Sequence, residues 1–421
     1  MKNNKKFLML IFPWLIWGLG CLFYCHQYLL RVSVSSLSTE LVKHFHVTSI
    51  TLSNIAASFF YAYVICQIPS GILIDRFGAK AMFSIASFSC AAGCLFFGFA
   101  QNLAMIEIGR IFMGAGAAFA LIITLALAKI WFSEHLFPTI TGLTITVGTL
   151  GAVLGGTPLT ILGQDFGRKY VMFGAFIICI ILALVSLYII RDNPQHTKSQ
   201  SKIPWGKTLL DLLHELKNPT VWLVGLLMAF SLIPLFCFGT LWSKPFLKFE
   251  YHITNATASL APSLIFIGTA IGAPAGGLIS KYFTNKLNII LSANFASLII
   301  ILISVYVTGL PLALVLFLFF LLGFAMGFPF LGLTIAKDIA TPKNTAAILG
   351  IVNVIYNLAG ALSLPLVGYL LNKNWDGKIL FNTRIYNLPD YHSALAIMPV
   401  SIVLAIIIGL ILKHLLKPVH S

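Results

Sequence analysis

Residues 71–80 read G-I-L-I-D-R-F-G-A-K and stand between two long apolar runs, Ile50–Ile74 and Ala81–Ala100. A run of about 20 mostly apolar residues is long enough to cross the hydrocarbon layer as a helix. The quoted segment therefore predicts a short charged turn between two membrane helices. The whole chain is similarly apolar, since 59% of its 421 residues are hydrophobic and only 9% are charged. This composition excludes a soluble domain.

Twelve apolar runs of this kind occur between Leu8 and Leu412. They are longer than the strands of a membrane barrel and lack the alternation of apolar and polar residues that such strands show. We therefore predict an all-α membrane protein with twelve transmembrane helices. The run after the N-terminal M-K-N-N-K-K is too long for the apolar core of a secretory signal, so the first helix is expected to be retained.

Lysine and arginine are unevenly distributed between the predicted loops. With twelve spans and an inner N-terminus, the inner segments hold 17 of the 27 Lys and Arg residues and the outer loops hold eight. The positive-inside rule then places both termini in the cytoplasm. We expect the protein to lie in the inner (cell) membrane. The cations are spread over short loops, so no nucleic-acid partner is predicted. The cysteines lie within spans without His or carboxylate partners on the same helix face, so neither a metal nor a cofactor is predicted.

A polar stretch interrupts the apolar pattern at the middle of the chain. We predict an N-terminal six-helix bundle over residues 1–190, a cytoplasmic linker over residues 191–219 and a C-terminal six-helix bundle over residues 220–421. Within the linker, Leu209–Lys217 has apolar residues at helical spacing, which predicts an amphipathic helix on the inner membrane surface.

The two predicted halves resemble each other. Q-I-P-S-G-I-L-I-D-R at Gln67–Arg76 aligns with G-A-P-A-G-G-L-I-S-K at Gly272–Lys281, and four of the ten positions are identical. Both segments lie where the second helix of a half leaves the membrane on the inner side. Such a repeat predicts halves related by pseudo-two-fold symmetry, with a solute site between them near the midplane. Ser280 replaces the acidic residue in the second copy, so the two loops are not equivalent.

The quoted segment resembles the loop signature of the major facilitator superfamily, Gly-x-x-x-Asp-(Arg/Lys)-x-Gly-x-(Arg/Lys), through Asp75, Arg76, Gly78 and Lys80. The resemblance implies a transporter that alternates access, with these four residues as gating groups. Asp75 would meet a helix end and nearby cations in one conformation, forming a latch that breaks when the halves rock. A solvated cluster of loop charges is the alternative interpretation.

Glycines in the predicted fourth and fifth helices extend the resemblance. G-R-I-F-M-G-A-G at residues 109–116 resembles the superfamily's Arg-x-x-x-Gly-x-Gly. The spacing of Gly142, Gly151 and Gly155 resembles the glycine motif of proton-driven exporters, but Pro158 does not follow the last glycine directly. Small residues at this spacing also let helices pack closely, which is the alternative to an exporter.

The first helix carries polar residues where the pattern is otherwise apolar. F-Y-C-H-Q-Y-L-L-R-V-S-V-S at residues 23–35 is similar to the first helix of bacterial nutrient permeases and, more distantly, to lysosomal dipeptide carriers. Tyr28 and Arg31 share one face of this helix, and Glu107 and Arg110 lie at a comparable depth in the fourth. An ionisable group inside a span is costly and is a functional candidate by default.

We hypothesise that Arg31 or Arg110 binds the acidic group of a solute, because one carboxylate, Glu107, can neutralise only one guanidinium. In the alternative interpretation, Arg31 extends to the outer interface. Other polar residues in spans are candidates to complete the substrate site, or else structural hydrogen bonds between helices: Tyr63, Gln67, Asn353, Tyr356 and Asn357.

The spans contain few groups that could carry a proton. His26 and Glu107 are the candidates for proton coupling. Because no carboxylate lies deep in the predicted membrane region, passive uniport is the alternative to proton coupling.

These features predict a secondary transporter for a small polar organic solute, which could be an amino acid, a short peptide or an organic anion. Uptake by a monomer in contact with membrane lipid is expected. A multidrug/proton antiporter of the same fold is the alternative. The linker is too short for a signalling domain, which disfavours a sensor. An enzyme is not predicted, since the chain has no phosphate-binding Gly-x-x-x-x-Gly-Lys-(Ser/Thr) and no nucleophile and base pair stands out.

Overall fold

The computed structural model describes residues 2–133, 136–191, 214–282, 285–341, 345–380, 383–384 and 386–416. In these residues the regular structure is helical except for one short hairpin, in which β1 (Ile379–Leu380) pairs antiparallel with β2 (Thr383–Arg384). The predicted linker lies mostly in residues 192–213, so its amphipathic helix falls largely outside the described residues.

The first helix set covers residues 2–191. Its members are α1 (Lys2–Ser36), α2 (Ser38–Phe45), α3 (Ser49–Phe77), α4 (Ala79–Gly98), α5 (Leu103–Trp131), α6 (Phe137–Gly155) and α7 (Thr157–Ile189).

The second helix set covers residues 214–416. Its long helices are interrupted by a π-helical segment, Leu235–Trp242, and a 3-10 segment, Phe328–Phe330. Its α-helices are α8 (Pro219–Pro234), α9 (Ser243–Tyr251), α10 (Asn255–Ala258), α11 (Leu260–Ile279), α12 (Lys286–Tyr306), α13 (Leu312–Gly327), α14 (Leu331–Asp338), α15 (Thr345–Lys373), α16 (Leu388–Leu395) and α17 (Ile397–Leu415).

Ten ranges of the described chain are long and apolar enough to cross a membrane, and one of them, Ile140–Ile189, contains both α6 and α7. Large apolar side chains remain exposed along these helices, among them Ile65, Ile181 and Leu410. Such outward apolar surface requires lipid as its solvent, because water would be ordered around it at a cost in free energy. The prediction of an all-α protein that crosses the membrane several times is confirmed.

The helices of the first set pack at close range through glycines. A Cβ atom at Gly151 of α6 would lie 1.8 Å from the carbonyl oxygen of Cys25 in α1, and one at Gly148 would lie 2.2 Å from the ring of Tyr24. No larger residue fits at these positions without moving α1 from α6. Gly148 and Gly151 therefore serve helix packing, which is the alternative that the sequence left beside the exporter motif, whereas Gly142 has no neighbour within 4 Å.

The two helix sets meet along two pairs of helices, α3 with α15 and α6 with α11. At one end, here called the closed end, polar contacts join them. The hydroxyl of Ser49 donates to the carbonyl oxygen of Gly368 (2.9 Å), and the main-chain N–H of Thr157 donates to the hydroxyl of Ser263 (3.2 Å). Towards the opposite, open end a cavity separates the sets.

The two repeated segments occupy matching places at the open end. The first covers the last residues of α3, and the second covers the end of α11, so that Arg76 and Lys281 both line the cavity. Gly78 separates α3 from α4 with a φ of 86°, a conformation that favours glycine because it has no Cβ. The glycine of the loop signature is thus required by the turn itself.

Candidate functional site

A cavity of about 2230 Å³ lies between the two helix sets. Helices α3, α5 and α6 line it on one side, and α8, α11 and α15 on the other. On α3 the lining begins at Gln67, and on α15 it extends from Ala347 through Asn353 to Leu366. The cavity is therefore large enough for a small solute and is bounded by both helix sets.

Basic side chains surround the open end of this cavity. None of the described residues that line the cavity is an aspartate or a glutamate. A cleft lined by charges of one sign attracts ligands of the opposite sign and raises their local concentration. The lining cations are Arg76, Lys129, Lys281, Lys286 and Lys337, of which Lys286 pairs with Asp338 outside the lining.

Arg31 of α1 lies among aromatic rings. Its guanidinium carbon is 4.6 Å from the ring centre of Tyr28, 5.2 Å from those of Phe60 and Tyr63, and 5.7 Å from that of Phe59. Tyr28 precedes Arg31 by three residues and so shares its helix face, while α3 supplies the other rings. These rings hold the guanidinium through cation–π contacts, inside the protein rather than extended into the membrane interface.

Arg31 has no counter-ion in the part of the chain that the structure describes. Its Nε atom is buried without a hydrogen-bond partner. No described carboxylate forms a salt bridge with it. A partly buried cation whose donor is unsatisfied carries a desolvation cost that an entering anion would offset.

Arg110 of α5 is held differently. Its side chain is fully buried, and its donors all reach oxygens of neighbouring helices. Nη1 donates to the carbonyl oxygen of Leu30 (2.7 Å), Nε to that of Ile55 (3.2 Å), and Nη2 to those of Arg31 (3.3 Å) and Ala56 (3.4 Å). Arg110 therefore joins α5 to α1 and α3, and its donors are already used.

The two candidates for proton coupling lie apart from Arg31. His26 is buried, with Nδ1 3.5 Å from Sγ of Cys179 in α7 and with Nε2 unpartnered. Glu107 is partly exposed on α5 and forms no salt bridge with Arg31, Arg110 or any other described residue. Neither residue lines the cavity.

The second helix set contributes Tyr356 to the surroundings of Arg31. The Phe236 ring stacks on Tyr356 at 6.3 Å and meets Phe60 of α3 edge-on at 5.6 Å, so that aromatic residues of both sets join at this level. On α15, Asn357 adjoins Tyr356 and donates to Oδ1 of Asn353 (2.6 Å), which lies one turn nearer the open end. Asn353 and Gln67 line the cavity, whereas Asn357 does not.

The predicted gating residues lie at the open end. Arg76 lines the cavity with its guanidinium carbon 5.8 Å from the Phe77 ring centre, and Lys80 is partly buried in the first turn of α4. The side chain of Asp75 is outside the described part of the structure. The latch assigned to these residues stays a prediction.

Lys244 is a buried cation that the sequence pattern places elsewhere. The apolar run Val221–Trp242 predicts a span that ends before Lys244 and puts Lys244 in an outer loop, but the helical path continues through the π-helical segment into α9 and buries it. The apolar residues that follow it, Phe246 and Leu247, are the signal that could have shown that the helix continues.

Two helix sets around a cavity that is open at one end define a membrane carrier of the alternating-access class. The family model of the Major Facilitator Superfamily matches residues 16–243 and again residues 235–421. The chain belongs to this superfamily of membrane transporters. The superfamily predicted from the loop signature is confirmed.

Similar proteins have names that refer to organic acids. The D-galactonate transporter of Escherichia coli O6:H1 is 25% identical over 373 residues, which cover 82% of this chain and 85% of that protein. The hexuronate transporter of Bacillus subtilis is 24% identical over 372 residues, with 82% and 85% covered. The probable galactarate/D-glucarate transporter GarP of Escherichia coli K12 is 22% identical over 380 residues, with 82% and 84% covered.

Solved structures share the fold. The nucleoside transporter NupG superposes with a TM-score of 0.74 at 14% identity, covering 95% of this chain and 99% of that one. A bacterial homologue of the human lysosomal transporter Spinster, in an inward-facing and unoccupied conformation, gives a TM-score of 0.68 at 14% identity, with 96% of each chain covered.

Proposed function

We propose that this protein carries a small organic anion across the cell membrane by alternating access and that Arg31 binds the carboxylate of the solute. The observation that carries the proposal is a buried arginine donor that forms no salt bridge with any described carboxylate. Arg31 does not itself line the cavity, but Tyr63, whose ring it contacts, lies one turn of α3 from Gln67, which does. A planar guanidinium binds a carboxylate through two parallel hydrogen bonds, which gives both strength and orientation.

Arg31 is preferred over Arg110 as the anchor. The donors of Arg110 are satisfied by carbonyl oxygens and its side chain has no exposed surface. Arg31 is partly exposed and keeps a free Nε donor. In this proposal Arg110 positions α1, and Arg31 binds the solute.

The remaining polar groups suit a hydroxylated organic acid. Gln67, Asn353 and Asn357 offer amides, and Tyr28, Tyr63 and Tyr356 offer phenol groups, all of which pair with hydroxyls. An amino acid or peptide would also bring an ammonium group, and no described carboxylate lines the cavity to receive it. The names of the sugar-acid transporters that resemble this chain support the same solute class.

For the membrane topology we propose twelve spans in two six-helix halves, residues 1–190 and 220–421, joined by residues 191–219. The basic loops support placing both termini in the cytoplasm, so that the open end of the cavity faces the cytoplasm. In a bacterium the protein would lie in the inner membrane as a monomer and take solute up.

Transport follows from rocking of the halves. When the halves separate at the closed end, the solute reaches Arg31 from that side. When the halves return to the arrangement seen here, the solute leaves through the cavity, past its basic lining. The aromatic residues around Arg31 exclude water from the bound carboxylate, which strengthens its contact with the guanidinium.

The test is thermal stabilisation of the purified protein by D-galactonate, D-glucuronate, D-glucarate, amino acids, dipeptides and cationic drugs, followed by uptake of each stabilising solute into proteoliposomes. A solute that binds only the folded protein raises its melting temperature by mass action. We expect stabilisation by a sugar acid that is absent in Arg31→Gln and retained in Arg191→Gln, which removes an exposed arginine from the end of α7.

Stabilisation by lipophilic cations alone would overturn the proposal and favour an exporter. Sugar-acid binding that survives Arg31→Gln in correctly folded protein would overturn the role of Arg31 while leaving the transport class intact.

The coupling mode is tested by uptake with and without a proton gradient. A rate that falls when the gradient is collapsed, and falls again in Glu107→Gln or His26→Gln, supports proton coupling through that residue. A rate that is independent of pH and of the gradient supports uniport. The positions of Glu107 and His26 outside the cavity lining agree with that outcome.

A further inference from the structure

Lys244 lies at the closed end, between the two helix sets. Its side chain is only 2% exposed. Its ammonium nitrogen donates to the carbonyl oxygens of Ser35 (3.1 Å) and Ser36 (3.0 Å), the last residues of α1. In return, the hydroxyl of Ser35 donates to the carbonyl oxygen of Leu241 (3.4 Å).

The end of α1 is an electrostatic partner for a cation. The last carbonyl groups of a helix have no intrahelical partner and carry the negative end of the helix dipole. Lys244 belongs to α9, so its contacts with Ser35 and Ser36 join the second helix set to the first. Separation of the two sets at this end would break them.

A second cavity adjoins Lys244. It has a volume of about 500 Å³, and Lys43, Lys244, Gln164 and Asn255 are among its lining residues. Lys248, one helical turn after Lys244, lies near both lysines and is exposed. Three cations from α2 and α9 therefore approach one another.

These lysines have no carboxylate partner among the described residues. Glu40 lines the same cavity, but its carboxylate accepts from the main-chain N–H of Arg168 (2.7 Å) and lies 3.6 Å from that side chain's Nε. In the described part of the chain the lysines thus form no salt bridge, and the Glu40 carboxylate in the same cavity is shared with Arg168.

We propose that Lys244 and this cavity form an anion-binding site at the closed end, in which the end of α1 takes the place of the anion while that end is shut. When α1 and α9 separate, Lys244 loses both carbonyl oxygens and faces the vestibule with Lys43 and Lys248. A carboxylate that enters from this side then binds Lys244 before it reaches Arg31. Anion binding and closure compete for one ammonium group, so an anion on this side favours the open arrangement.

The inference rests on the proposed function only for the anionic character of the ligand, and it does not require the role of Arg31. Its test is the rate at which a membrane-impermeant maleimide, added on the closed side, labels Ser49→Cys. Ser49 is buried between α3 and α15 at this end, so labelling reports opening. The rate is measured with Lys244 present, in Lys244→Met and in the control Lys169→Met, which removes an exposed lysine of α7 outside this cavity, each with and without D-galactonate.

We expect Lys244→Met to raise the labelling rate about tenfold, equivalent to about 1.4 kcal/mol, and Lys169→Met to leave it nearly unchanged. With Lys244 present, D-galactonate should raise the rate, and in Lys244→Met it should have no further effect. Lys244→Arg, which keeps a cationic donor, should restore both properties.

An unchanged labelling rate in Lys244→Met would show that the contacts of Lys244 with Ser35 and Ser36 do not hold this end shut. A D-galactonate effect that persists in Lys244→Met, or that is absent with Lys244 present, would overturn the anion site. If the effect vanished in Arg31→Gln but not in Lys244→Met, the anion would be acting at the central site alone. Loss of D-galactonate uptake with these labelling rates intact would count against the proposed function and not against this site.

Discussion

Arg110 donates a hydrogen bond from Nη2 to the main-chain carbonyl oxygen of Arg31, 3.3 Å away. One buried arginine thereby fixes the backbone from which the other projects. The charge of Arg110 is dispersed over carbonyl dipoles of α1 and α3, while the side chain of Arg31 stays available among aromatic rings. Two arginines at a similar depth thus have different roles.

Arg110→Gln is predicted to destabilise the protein. The substitution removes hydrogen bonds from a charged donor that join α5 to α1 and α3, and bonds of this kind contribute about 1.5–3 kcal/mol each. The melting temperature of the purified protein in detergent should fall clearly below that of Arg191→Gln, which removes an exposed arginine. Unaltered melting together with lost solute binding would instead make Arg110 a solute ligand.

Arg31→Lys is predicted to lose solute affinity despite keeping the charge. An ammonium cannot form the two parallel bonds of a guanidinium and is held less well by the surrounding rings. We expect the dissociation constant of the stabilising sugar acid to rise at least about tenfold, or about 1.4 kcal/mol. Calorimetric titration measures it, and an affinity equal to that of the unmodified protein would show that point charge alone suffices.

Gly151→Ala is predicted to disrupt the contact between α1 and α6. The added methyl group would lie 1.8 Å from the carbonyl oxygen of Cys25, so α1 must move away from α6. Gly174→Ala on α7 is the control, because a Cβ there has no atom within 4 Å and the residue does not line the cavity. Melting temperature and uptake should both fall for Gly151→Ala and stay unchanged for Gly174→Ala. Equal effects would contradict the packing role of Gly151.

The basic lining is predicted to act through long-range attraction. Removing Lys281 and Lys337 together as glutamines should raise the apparent KM for an anionic solute that approaches from the open end, with kcat little changed. The difference should shrink in about 1 M salt, where the Debye length is about 3 Å. Lys169→Gln, an exposed lysine on α7, is the control. A KM difference that does not depend on salt would indicate direct contact instead.

Much of the architecture was predictable because the membrane restricts the choices. Backbone groups in hydrocarbon must be satisfied within the chain, so a long apolar run such as Ala81–Ala100 predicts a helix, and the structure has α4 over Ala79–Gly98. The glycine of the loop signature was equally readable, since Gly78 occupies a turn with a positive φ. Helix ends were less readable: Trp242 looked like the end of a span, yet the helical path continues to Tyr251.

The sequence by itself determined that the chain is a helical membrane protein of the Major Facilitator Superfamily, because hydropathy and the loop signature are local properties. It also identified Arg31 and Arg110 as ionisable groups whose placement in a membrane span costs free energy, which makes them functional candidates. Only the tertiary structure distinguishes their surroundings, since α1 and α3 supply the carbonyl oxygens of Arg110 and the aromatic rings of Arg31. The burial of Lys244 depends on tertiary structure in the same way, because the carbonyl oxygens that accept from its ammonium group belong to residues more than 200 positions away.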